Sequence, residues 1–278
     1  MKNHELIWFN QEPRTTDPVP STTEEKPYSI MVCTPVHSDV SIHYTQSLLE
    51  LQKHGFKNGY KVGFKIMKSS LVTQGRNMCV SGFLNSNYTH LLFIDSDIAF
   101  NAGAAQRLIM TDKDVVSIPY PLKDMNFDKA IHMINQGKIK TSKDLKNKAF
   151  YRYPMKVPDN NQIRVKDGCI EVTHSPTGFM MIKRSVFDKM IKHYGDSMVI
   201  EQDQVMNGKN ERLTHFYNFF DTMYLPEKKH YLGEDFAFCK RWKDIGGKCY
   251  AWVNDYISHV GEHQFTGKFA DELIQDDK

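Results

Sequence analysis

No long apolar run occurs in the 278 residues of this chain. Nothing approaches the roughly 20 consecutive apolar residues that a membrane-spanning helix needs. Near the N-terminus only Leu6 to Phe9 is apolar, too short for the core of a secretory signal. A cytoplasmic protein is therefore expected. Cysteine is sparse: the 5 thiols at positions 33, 79, 169, 239 and 249 form no CxxC pair. An odd, scattered set excludes a disulfide framework and a thiolate zinc site, and suits reduced thiols. Internal repeats and low-complexity stretches are missing too, which sets aside solenoids and arrays. Neither sign of charge dominates. The net charge is +3, with 25% charged and 40% hydrophobic residues, ordinary for a globular protein. The length allows one large domain or two small ones.

The most informative stretch runs from His90 to Phe100, HLLFIDSDIAF. Four apolar residues followed directly by two aspartates read as a buried central strand with acids at its exit. Ionised carboxylates there are costly unless something pairs with them. Alternate strand residues face the same side, so Asp95 and Asp97 could aim at one object. A hard divalent cation such as Mg²⁺ or Mn²⁺, itself holding phosphates, would suit them. The plainer alternative is a turn, with Asp97 capping a helix over Ala102 to Met110.

In chain order, residues 1–27 are polar and rich in proline, and read as an extended arm. Tyr28 to Thr34 is a strand ended by Pro35. A helix carries Ile42, Leu48, Leu49 and Leu51 and closes at Gly55. Lys61 to Met67 alternates as a strand, and Ser69 to Leu84 reads as a helix. Val115 to Ile118 follows the aspartate strand as another strand. This alternation predicts an α/β sheet, mostly parallel, with ligands outside the carboxyl ends of its strands. Between Leu122 and Gly168 stand eleven basic and five acidic residues. That stretch is expected to be a basic insertion, partly loop and partly hairpin. Its charge is consistent with a solvated face or with a polyanion, on whose bases Phe127, Phe150, Tyr151 and Tyr153 could stack. Strands at Cys169 to Thr173 and Gly178 to Ile182 come next, then a helix from Ser185, its cap, to His193. A mixed aromatic segment, Val199 to Lys229, leads to Gly233-Glu234-Asp235. These residues open a helix that Gly246-Gly247 terminates. Lys248 to Val253 is the last strand expected.

Four features stand in a fixed order: Thr34-Pro35-Val36-His37, Gln74-Gly75-Arg76-Asn77, Asp95-Ser96-Asp97, and Gly233-Glu234-Asp235 with His259 downstream. Together they resemble the GT-A class of nucleotide-sugar glycosyltransferases, across roughly Ser29 to Gly267. The run YLGEDFAFCKRWKDIGGKCYAWV, with His259-Val260-Gly261 after it, is similar to the C-terminal half of bacterial and viral members. The resemblance implies a Rossmann-like fold, a mixed, mostly parallel sheet flanked by helices. Residues 28–267 would form one catalytic domain and 268–278 a tail. It implies Mn²⁺ or Mg²⁺ held by Asp97 and His259, with Asp95 at the ribose or the metal's water. His263 is a second imidazole candidate. Thr34, Pro35 and His37 would line the nucleoside pocket beside Ser96, and Arg76 would lie near the base or phosphates. Asp235 would be the general base of an inverting transfer, with Glu234 and Gly178 on the acceptor side. The donor would be a nucleotide sugar, with a UDP-sugar the one this resemblance favours. The acceptor would be a hydroxyl of a glycan or protein-linked sugar, alternatively of a hydroxylated DNA base. A sugar nucleotidyltransferase and a catalytically silent nucleotide-sugar binding module are the competing readings. The first of these usually opens with a Gly-rich basic loop, where this chain has Thr34-Pro35-Val36-His37.

Overall fold

The computed structural model describes residues 27–148, 151–158, 163–206, 209–262 and 264–273. The arm before Pro27, Phe150, His263 and the tail beyond 273 lie outside them. In order the elements are β1 (Ser29–Val36), α1 (Ile42–Lys57), β2 (Lys61–Lys68), α2 (Val72–Leu84), β3 (His90–Ile94), β4 (Ile98–Phe100), α3 (Ala104–Met110), β5 (Val115–Ser117), α4 (Phe127–Asn135), α5 (Ser142–Lys148), β6 (Cys169–Val172), β7 (Phe179–Lys183), α6 (Arg184–Tyr194), β8 (Asp203–Met206), β9 (Lys209–Arg212), β10 (Met223–Leu225), β11 (His230–Leu232), α7 (Glu234–Asp244), β12 (Cys249–Trp252), β13 (Ile257–Val260), β14 (Gln264–Gly267) and α8 (Ala270–Leu273).

Seven strands form the central sheet in the order β2-β1-β3-β7-β5-β12-β6. The ladders of β1 with β2 and β3, and of β5 with β12, are parallel; β7 and β6 run against their neighbours. Five strands therefore share one direction. This mixed, mostly parallel α/β sheet flanked by helices is compatible with the Rossmann-like fold expected above. Its centre explains the apolar run at 91–94. Leu91 and Phe93 pack into one core with Phe83, Phe187 and Phe238. Leu92 and Ile94 pack into the opposite core with Leu48, Leu51 and Leu108. A strand buried on both faces has no polar alternation to show.

Several expectations are corrected. Gly55 does not close α1; it is buried within the helix, which runs on to Lys57. Ser185 is not the cap of α6. That helix starts at Arg184, whose guanidinium donates to the carbonyls of Phe83, Ser86 and Tyr88 and so fixes the entry to the end of α2. The insertion carries two helices where a hairpin was expected. Asn126 caps α4 by accepting from Lys129 N, and Ala130, Met133, Ile139 and Leu145 form a small core of their own. The 4,3 spacing of Phe127, Ile131 and Ile134 already had a helical period. Finally, β12 is not the last strand: β13 and β14 follow and join β4 in a three-stranded antiparallel sheet. Among the described residues no helix is long and apolar enough to cross a membrane.

Candidate active site

The parallel strands end on one edge of the sheet, and the loops after β1, β3 and β5 and the entry to β7 meet there. β1 ends in Thr34-Pro35-Val36. The acidic turn 95–97 follows β3, and 118–123 follows β5. Gly178 precedes the antiparallel β7, and Asp95 N donates to its carbonyl at 3.0 Å. A Cβ at Gly178 would lie 2.4 Å from the Tyr120 ring. Glycine is required for that close approach.

β3 stops at Ile94, so Asp95 and Asp97 sit in a turn and not on a strand face. Their carboxylates accordingly go to different partners. Asp97 Oδ2 receives Lys123 Nζ at 2.7 Å and lies 3.3 Å from His259 Nε2. His259 reaches it because β13 pairs with β4 and sets His259 opposite Ile98. Val260 N also donates to the Asp97 carbonyl at 2.7 Å. Burial works against ionisation of Asp97, but the hydrogen bonds from His259 and Lys123 outweigh it and hold the carboxyl below its ordinary range.

His259 Nδ1 stands 3.1 Å from the carbonyl of Pro121. A carbonyl only accepts, so Nδ1 carries a proton and donates it. In the neutral ring Nε2 is then bare, facing a carboxylate oxygen. A proton on Nε2, or a cation shared by the two atoms, turns that contact attractive. Metal-binding histidines characteristically give their other ring N–H to a carbonyl or carboxylate in this way.

Asp95 belongs to a second cluster. Arg76, on α2, donates through Nη2 to Asp95 Oδ1 at 3.0 Å and through Nε to Glu234 Oε1 at 3.2 Å. Its side chain is only 4% exposed. Burial opposes its charge, but Asp95 and then Glu234 outweigh burial and raise its pKa. The guanidinium also lies 5.2 Å from the centre of the Phe93 ring. Nη1 is buried with no hydrogen-bond partner among the described residues. Such a group demands an explanation, and a ligand atom is one.

Asp235 stands at the first turn of α7, beside Glu234. Burial, and then the charge of Glu234, push its carboxyl up to about 6, against the bond that Oδ1 accepts from Phe236 N. Tyr120 ties the clusters together. It is buried, its ring meets that of His259 edge-on at 5.0 Å, and burial followed by the nearby Asp95 and Asp235 charges raises its phenol well above the ordinary range.

Of the residues singled out from the sequence, the fold brings Arg76, Asp95, Asp97, Gly178, Glu234, Asp235 and His259 into one region. Thr34 is wholly buried with its hydroxyl on that of Tyr44, Pro35 is half-buried, and His37 is exposed. Ser96 contributes a carbonyl that accepts from Ser41 N at the start of α1. Tyr120 and Lys123 were missed. Their signal was position: they follow β5, whose carboxyl end faces the same edge.

Among the described residues no three His, Cys, Asp or Glu side chains converge as a ready-made metal cage. The donor pair Asp97 and His259 nonetheless fits a hard cation of the Mg²⁺ or Mn²⁺ kind. Such ions take one or two protein ligands and complete their shell with substrate phosphates and water. The 3.3 Å between the two donor atoms compares with about 3 Å for adjacent ligands of an octahedral ion with bonds of about 2.1 Å. Asp95, the third expected donor, is engaged by Arg76.

No family profile matches the chain, and no curated protein matches it. Among solved structures it is similar to that of A197 from STIV, at 17% identity over 84% of this chain and 86% of that one, with a TM-score of 0.45. At that level the likeness bears on neither activity nor substrate.

Proposed function

We propose that the protein is a metal-dependent glycosyltransferase that moves a sugar from a nucleotide sugar, most simply a UDP-sugar, to an acceptor hydroxyl. One arrangement carries this reading: Asp97 faces His259 at 3.3 Å with Lys123 on the same oxygen, near the buried Arg76 that holds Asp95 and Glu234 and leaves Nη1 without a partner among the described residues. Two carboxylates of this region are also driven in opposite directions, Asp97 kept ionised by its hydrogen bonds to His259 and Lys123 and Asp235 raised to about 6 by burial. Carboxylates pushed apart in this way take different chemical roles.

Transfer from a nucleoside diphosphate has to stabilise a departing diphosphate and remove a proton from the attacking hydroxyl. Asp97 and His259 would hold the cation, which supplies Lewis-acid stabilisation of the diphosphate when bound. Lys123 adds a second positive charge at the same place. Arg76 fixes Asp95 and Glu234 and keeps Nη1 for a donor oxygen. Asp235, ionised at neutral pH yet close to the pKa that general bases favour, accepts the acceptor proton as its oxygen attacks the anomeric carbon. Glu234, held by Arg76, orients that acceptor. With the base opposite the leaving group the outcome is inversion. The acceptor is a glycan or protein-linked sugar in this reading.

A panel of nucleotide sugars with Mn²⁺, read by thermal shift and by donor hydrolysis, tests the proposal. The right donor at 100 times its dissociation constant should add about 2.7 kcal/mol of stability. No shift and no hydrolysis with any donor would refute it.

A further inference from the structure

Asp97 Oδ2 has more claimants than it can serve at once. The ammonium of Lys123 lies 2.7 Å from it and the His259 imidazole 3.3 Å, and the reading above adds a divalent ion. That ion would be held by the same carboxylate, in competition with the ammonium. We propose that Lys123 is a diphosphate-binding residue that guards Asp97. It holds the carboxylate in the free protein and moves onto the nucleotide's diphosphate when the cation arrives, so that metal and nucleotide are taken up together. This inference rests on the nucleotide-sugar reading of the same site.

The surroundings suit a side chain that moves on a backbone that does not. The two residues that precede the lysine are anchored. Pro121 O accepts from His259 Nδ1, and Leu122 N donates to Arg152 O at 2.7 Å. The pair itself faces solvent, with the Lys123 side chain 37% exposed and that of Asp97 34%. Rotamer changes of exposed side chains are fast and need no backbone rearrangement. Gly261 lies against the stem; a Cβ there would come within 3.2 Å of Lys123 Cδ. Glycine leaves that space to the lysine.

The charges supply the coupling. A divalent ion arriving alone must displace the ammonium and leave it facing a like charge, which is unfavourable. A diphosphate arriving with the ion gives the ammonium a new anionic partner of the kind that makes strong charge-assisted bonds. Each ligand therefore favours the other, and by linkage the factor is the same in both directions.

Calorimetric titration of the full chain with MnCl₂ alone, with UDP alone and with UDP in saturating MnCl₂ tests this in the wild type, Lys123→Met and Lys123→Arg. The wild type should bind Mn²⁺ at least about tenfold more tightly with UDP present, within the range usual for coupled sites. Lys123→Met should bind Mn²⁺ alone more tightly and UDP alone more weakly, and its coupling should fall by about tenfold; Lys123→Arg should restore the coupling. Near-UV circular dichroism checks that the variants are folded. Unchanged or weaker Mn²⁺ binding by Lys123→Met would overturn the proposal. So would UDP binding by the wild type that is tight and indifferent to Mn²⁺. If no form binds UDP under any condition, the nucleotide-sugar reading itself fails, and the guard fails with it.

Discussion

Asp97 and Asp235 are both neighbours of Tyr120, yet their surroundings differ in kind. Asp97 sits in a turn, half exposed, with Lys123 and His259 on one oxygen. Asp235 sits at a helix start, with a single backbone N–H on Oδ1 and the Glu234 carboxylate next to it. The first is stabilised as an anion and the second is destabilised as one. The difference teaches that proximity to a sheet edge does not assign a role to a carboxylate; its immediate partners do.

Deleting the stabilised carboxylate should have the largest effect. Asp97→Ala should abolish Mn²⁺-dependent UDP binding while the fold survives, because the side chain lies in a half-exposed turn. Calorimetry reads it directly, and undiminished metal-dependent affinity would remove Asp97 from the site.

Asp235→Asn keeps the shape and removes the basicity. Turnover should fall on the order of 10²-fold or more, the usual cost of losing a general base, while UDP binding stays nearly unchanged. In the wild type kcat/KM should rise as pH passes through about 6, the value at which Asp235 ionises. A flat profile across that range, or wild-type turnover in the variant, would reduce Asp235 to a helix-terminal acid.

The same substitution should separate the two carboxylates by stability. The folded-state pKa of Asp235 is raised from 3.8 to about 6. Its favourable contribution is thus fully present below the unfolded value and is lost as pH rises through about 6. Asp235→Asn should therefore be more stable than wild type at pH 7, by on the order of 3 kcal/mol, and nearly equal to it at pH 4. Asp97 has the opposite sign: its contribution is present above the unfolded pKa and is lost as pH falls through its lowered folded value. Denaturant melts at the two pH values measure both. A destabilised Asp235→Asn at pH 7 would contradict the assignment.

The smallest effect concerns the insertion. Lys138, Lys140 and Lys143 are exposed on and beside α5. If they serve a polyanionic acceptor, binding to duplex or single-stranded DNA should weaken steeply between 50 and 200 mM salt. Filter binding at the two salt concentrations, with these lysines neutralised in parallel, decides it. Absence of binding at the lower salt makes the segment a solvated face.

Much of the central sheet was legible because local pattern and tertiary role agree there. The run Leu91 to Ile94 is apolar because both faces of β3 are covered, and the strand–helix alternation up to β5 needs little more than period and punctuation. The insertion was read less well. Its helices rest on a core as small as Ala130 and Ile139, and Phe127, Ile131 and Ile134, which carry the helical spacing, stay exposed among many charges. The strands after β12 escaped notice for another reason. β13 is defined by pairing with β4, more than 150 residues earlier, and strand pairing over that separation leaves no local trace.

The sequence alone set the chemical groups and their order: two aspartates after a buried strand, Arg76 on the preceding helix, Glu234 and Asp235 at a helix start, and a histidine beyond. Their side-chain types suffice to suggest which chemistry is available. What only the tertiary structure decided was who faces whom. Arg76 takes Asp95 away from Asp97 and gives it to Glu234, the β4–β13 ladder delivers His259 to Asp97, and the turn after β5 brings Lys123 to the same oxygen. The reason is physical. Ionisation depends on charges and burial within a few ångströms, and those neighbours come from segments that only folding brings together.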